Sequence, residues 1–193
     1  MPAVENVVEP PSIHNGRLLA GVAHFLKHGE FEMCNVNNRE QLLESVLAYK
    51  HPDLLNRFGN RYFLTDDKCE QIFRELKLWL YLVGTRTSDA PPLVILSPME
   101  VIDNIWHEFL LYTTDYANFC HTYFGHFIHH EPTRVADRLK LQQERECNLQ
   151  AFQTKRRAEL EIFIGYVYDK LGAEVCHRWF SGRVAECRKG TSE

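Results

Sequence analysis

Between Cys69 and Val83 the apolar residues Ile72, Phe73, Leu76, Leu80 and Val83 recur at helical spacing. A helix carrying such a stripe is stable only when the stripe is covered, so one segment of this kind demands others to pack against it. The chain supplies them. Arg17 to His28 carries Leu18, Leu19, Val22, Phe25 and Leu26, and Arg39 to Tyr49 carries Leu42, Leu43, Val46 and Leu47. Leu149 to Leu171 carries Phe152, Leu160, Phe163, Ile164, Val167 and Leu171, and a last short segment holds Val175, Trp179 and Phe180. The punctuation agrees: Thr65-Asp66-Asp67 offers a cap and a negative first turn, and Gly84 and Gly172 stand where helices stop. Ser97-Pro98-Met99-Glu100 reads as a capping box with proline in the first turn. The expectation is an all-α chain, a single compact helical domain of about six helices. An arm over residues 1–16 and a tail over residues 188–193 flank a helical domain over residues 17–187.

Composition narrows the function classes. With 45% hydrophobic and 25% charged residues in 193, one domain can bury an ordinary core without staples. The net charge of −4 and the interleaving of both signs leave no broad basic face, so nucleic acid is not an expected partner. Lys155-Arg156-Arg157, set among glutamates, reads as a solvated helix face. No apolar run approaches the length of about 18 to 20 residues that spans a bilayer, so no membrane segment is expected. Met1 to Gly16 lacks the apolar stretch of a secretory leader, and the six cysteines form no C-x-x-C pair. Both point to a cytoplasmic protein with reduced thiols. Cys120 and His121 are helical neighbours that point apart, so Cys120 reads as structural rather than nucleophilic.

The chemistry concentrates in one stretch. From Asp103 to Pro132 the sequence places five of ten histidines and eight aromatic residues. Asp103 and His107 are four apart, which on a helix sets them on one face, close enough to share an ion. His121, His126, His129 and His130 are the candidates for a third ligand. On an unbroken helix His121 would stand about 21 Å along the axis from His107, which excludes it. Gly125 can reverse the chain, and a helix break at Thr113-Thr114, where either threonine can cap, brings the residues beyond it within reach.

The W-H pair, Y-x-x-F-C and G-x-x-x-H-H-x-P together resemble the glycine-rich domain-containing protein family, best over Ser97 to Pro132. The resemblance implies a mostly helical domain with a D-x-x-W-H core followed, after a break, by Tyr, Gly and His. Here these are Asp103, Trp106, His107, Tyr116, Gly125 and His130. The chain departs from the plant members in lacking a glycine-rich tail and in having Phe109 where they often carry a second histidine. That leaves Asp103, His107 and His130 as the triad matching the shared pattern, with His129 as an alternative third ligand.

Two readings follow. In the first, two imidazoles and a carboxylate hold one divalent ion, iron or zinc, with open positions for an enzyme acting on a small molecule or peptide. Cu(I) would call for thiolates, which this stretch offers only at Cys120. In the second, Asp103 accepts a hydrogen bond from the His107 ring, His129-His130 caps the preceding helix end, and the protein is a non-catalytic protein–protein interaction module. In both, the aromatic series from Trp106 to Phe127 is mostly core. Tyr116 is the exception, a buried hydroxyl whose partner would be His130 or a metal-bound water. His14, His24, His28, His51 and His177 have no evident partners and receive no role.

Overall fold

A computed structural model describes residues 36–181 of the chain. Among them are eight α-helices, one 3-10 turn at Ser97–Met99, and no strand. The helices are α1 Val36–Ala48, α2 Pro52–Tyr62, α3 Asp66–Gly84, α4 Glu100–Leu110, α5 Thr113–Phe124, α6 Val135–Cys147, α7 Leu149–Leu171 and α8 Ala173–Phe180. The expected helix at Arg17 to His28, the arm and the tail lie outside the described residues. The all-α expectation holds, with two helices more than it counted within this span: α2 and α6.

The hub is α3. Leu76 through Leu82 are all buried, and only a helix surrounded by others buries every face. Helices α1, α2, α4 and α7 pack around it. Helix α4 packs on α3 and α2, α5 leans on α4 and α1, and α7 joins α3 to α8. At the end of α3 the backbone approaches α5 closely, because a Cβ on Gly84 would lie 2.5–2.9 Å from ring carbons of Phe124.

Helix α2 starts where Pro52 fits the first turn, and it buries Leu54, Phe58 and Tyr62 on one stripe. Its cap is His51, whose Nδ1 accepts from the Leu54 amide at 3.1 Å. Ser97 does not cap α4. Leu96 is the cap position of a 3-10 turn, and α4 proper begins at Glu100. The α4–α5 break falls at the expected place, but neither threonine caps it: Tyr112 holds the cap position and Thr113 is the first residue of α5.

Among the described residues, buried Lys77, Glu75 and Glu108 each have polar partners. Lys77 on α3 donates to the carbonyls of Leu47 and Tyr49 at the end of α1, where orphan carbonyls need donors. Burial pushes its amine down to about 8. Glu75 accepts from Arg178 Nε and Trp179 Nε1, both at 2.8 Å, and so fastens α8 to α3. Glu108, 2% exposed, accepts from Arg57 and Arg61 on α2. Helix α6 differs from the rest, because none of its residues is buried and it packs on α7. No described helix is long and apolar enough to cross a membrane.

Candidate metal centre

Asp103 and His107 lie one turn apart on α4, as their spacing requires. His130 reaches them by the predicted route. Gly125 ends α5 with φ 74°, a left-handed conformation that glycine adopts without strain, and the chain doubles back. One ligand atom from each of Asp103, His107 and His130 lies within 4.8 Å of the other two. Two donors bound to one ion at about 2.1 Å each sit at most about 4.2 Å apart, so closure needs a shift on the order of 1 Å.

The ring nitrogens have separable duties. His107 Nδ1 lies 2.8 Å from the backbone oxygen of Asp103, which can only accept, so this nitrogen carries the proton. The Nε2 lone pair of a neutral ring is then free to bind a metal, with the carbonyl holding the tautomer. His130 Nε2 stands 3.1 Å from Asp103 Oδ1. The contact is misaligned for a hydrogen bond, and this buried nitrogen has no hydrogen-bond partner among the described residues. It faces a carboxylate and a second imidazole. The His130 side chain holds the Asp103 carboxyl below its usual range, while partial burial opposes the effect. Exposure falls from 59% at His107 through 35% at Asp103 to 17% at His130, so the cluster opens to solvent on the His107 side.

Two further residues fix His130. The Trp106 indole stacks on its ring at 4.1 Å between centroids and 8° between planes. Tyr116, fully buried, accepts from Trp106 Nε1 at 3.1 Å and donates to the Ile128 carbonyl at 2.6 Å. One hydroxyl therefore sets both the indole plane and the backbone two residues before His130. Burial drives its ionisation far above the usual phenol range, so it stays a donor. The partner expected of Tyr116 was His130 or a metal-bound water, and the backbone takes that place instead.

The remaining histidines stand apart. His129 is exposed with its ring against Phe127, and it is not in the cluster. His126 Nδ1 meets the Phe124 carbonyl at 2.9 Å, and His121 is exposed on α5. The structural alternative had Asp103 accepting from the His107 ring and His129-His130 capping α5. The nearer acceptor is the Asp103 backbone oxygen, and the α5 end is closed by the Gly125 amide on the His121 carbonyl. Of the aromatic series Trp106, Phe109 and Phe119 are core as expected, while Tyr112, Tyr123, Phe124 and Phe127 are only half-buried against it.

Sequence reasoning missed His51. It is 6% exposed, its Nδ1 caps α2, and its Nε2 lies 3.3 Å from Asp115 at the start of α5. The one available signal was its place directly before Pro52, a helix-start proline.

No curated protein and no solved structure matches the chain. The profile of the UCP032817-like family does, over residues 38–161, which takes in α2 through α6, the whole triad and the first half of α7. The match spans more than half of the 193 residues, and the chain belongs to the UCP032817-like family.

Proposed function

We propose that Asp103, His107 and His130 hold one divalent metal ion, iron or zinc, at a mononuclear site. The observation that carries this reading is the convergence of one ligand atom from each of the three residues within 4.8 Å, with the buried His130 Nε2 standing 3.1 Å from Asp103 Oδ1. Two neutral imidazoles and one carboxylate suit Fe²⁺ and Zn²⁺, and three protein ligands leave at least one position for water or substrate. Closed structural zinc sites use four protein ligands, so this set favours a metal-dependent enzyme of hydrolytic or oxygenase type acting on a small molecule or peptide. The likeness of Asp103, Trp106, His107, Tyr116, Gly125 and His130 to the motif of glycine-rich domain-containing proteins belongs to the same proposal. So does a cytoplasmic setting, which the free thiols of Cys69, Cys120, Cys147 and Cys176 support.

The second reading, an interaction module with a structural Asp/His cluster, draws on a different observation: Val135, Leu139 and Ile162 are 59–64% exposed. Elemental analysis separates the two. Protein purified without an affinity tag is expected to carry close to one equivalent of metal, and His107→Ala is expected to carry none. Chelation should lower the melting temperature of the wild type and leave that of the variant unchanged, since metal stabilises only the folded state. A metal-free wild type with an unaltered melt would favour the interaction module.

A further inference from the structure

The residues after His130 build an unusual object. From Glu131 to Ile162 no residue is buried, although this stretch contains all of α6 and the first half of α7. Asn148 turns the chain between the two helices, its side chain capping α7 by accepting from the Ala151 amide at 2.9 Å. Lys155 and Glu144, 3.5 Å apart, pair across the hairpin. The two helices thus form an arm that stands off the core. It joins the core at two roots. One is Phe163 with Val167 on α7, both buried. The other is Ile128 with His130, after which Glu131, Pro132, Thr133 and Arg134 are all exposed.

The two roots are not equally firm. Phe163 packs edge-on against Trp79 and Phe180, and Val167 is fully buried. Ile128 is pinned by Tyr116, but His130, the last residue before the exposed linker, is held only by ring contacts with Trp106 and His107 and by its misaligned approach to Asp103. Helix α6 has 13 residues and no buried one, and an isolated helix of that length is marginal in water. Its order therefore depends on α7 and on how its own root is fixed.

We infer that metal occupancy at the triad controls the order of the α6–α7 arm. This rests on the metal reading above. An ion bound by Asp103, His107 and His130 cross-links the root of α6 to α4, and opening of the arm that frees His130 must then release the ion. The site and the arm become two ends of one equilibrium, and the exposed Val135, Leu139 and Ile162 at the arm's base are presented in one arrangement when metal is bound.

Amide hydrogen exchange of the full chain, with and without saturating zinc chloride, tests the coupling, and calorimetry on the same samples reports whether zinc binds. Zinc is expected to slow exchange across α6 about tenfold or more while α1, which packs on α3 and α5 and supplies no ligand, changes little. Asp103→Ala and Asp103→Asn should each remove the effect, the second guarding against misfolding of the first. Zinc that binds with α6 exchange unaltered, or slowed no more than in α1, overturns the coupling and leaves the metal site standing. Absence of any binding heat overturns both.

Discussion

Tyr116 shows how much can depend on one oxygen atom. Its hydroxyl satisfies two groups that would otherwise be buried without partners, the Trp106 N–H and the Ile128 carbonyl. Tyr116→Phe is expected to cost about 1–3 kcal/mol of stability in urea denaturation, the penalty for unsatisfied buried polar groups. Because the same oxygen orients His130, the variant should also bind zinc about tenfold more weakly or worse, as losses outside a metal's direct ligands do. A variant that loses stability but keeps wild-type affinity would separate the two roles. Lys77 makes a different forecast. Its folded value of about 8 lies below the ordinary 10.5, so the folded state sheds its proton first. Below about 8 the burial penalty on the ammonium is fully present, and as pH rises toward 10.5 it is relieved. The stability of the wild type relative to Lys77→Met should therefore increase between pH 7 and 10. Parallel pH curves from urea titrations of the two proteins would contradict this.

At the scale of helices, α8 is attached by chemistry as much as by packing. Glu75 supplies both acceptors for Arg178 and Trp179, and Trp179 is fully buried. Glu75→Ala leaves the Trp179 N–H without a partner and is expected to cost about 1–3 kcal/mol in chemical denaturation. Glu75→Gln, which keeps one oxygen acceptor, should lose less, and an equal loss in both variants would count against the hydrogen bond as the cause. Those helices whose apolar stripes face a neighbour were legible in the sequence: α1, α3, α7 and α8 follow their stripes to within a few residues, and the helix-start signal at Ser97–Glu100 announced α4. The break at Thr113 was legible as well, although the capping threonine it was read from is not used and Tyr112 holds the cap position. Helix α2 was not, although Leu54, Phe58 and Tyr62 form a stripe, because Pro52, Gly59 and two asparagines read as loop and its cap is a histidine rather than Ser, Thr, Asp or Asn. Helix α6 was not because it buries nothing, and a helix supported by a neighbour rather than by a core writes little periodicity into its sequence.

Over the whole molecule, the fold converts a separation of more than twenty residues into a contact. Spacing fixed Asp103 and His107 on one face, and Gly125 allowed the return of the chain. Which histidine would arrive depended on the loop path, and the path depends on Tyr116 gripping Ile128, a backbone contact that no residue pattern announces. The stacking of Trp106 on His130 was equally hidden, since it depends on the relative planes of two rings from different elements. What results is a helical bundle with a carboxylate and two imidazoles at its surface and a two-helix arm leaving directly beyond them. The most direct test of this account is calorimetric titration of zinc into chelator-stripped wild type and into Asp103→Ala, His107→Ala, His130→Ala and His129→Ala, each first shown to be folded by circular dichroism. One equivalent is expected to bind to the wild type and to His129→Ala, whose side chain stands outside the cluster, and none to the other three. Binding to His130→Ala as tight as to the wild type, or no binding to the wild type, would contradict the account.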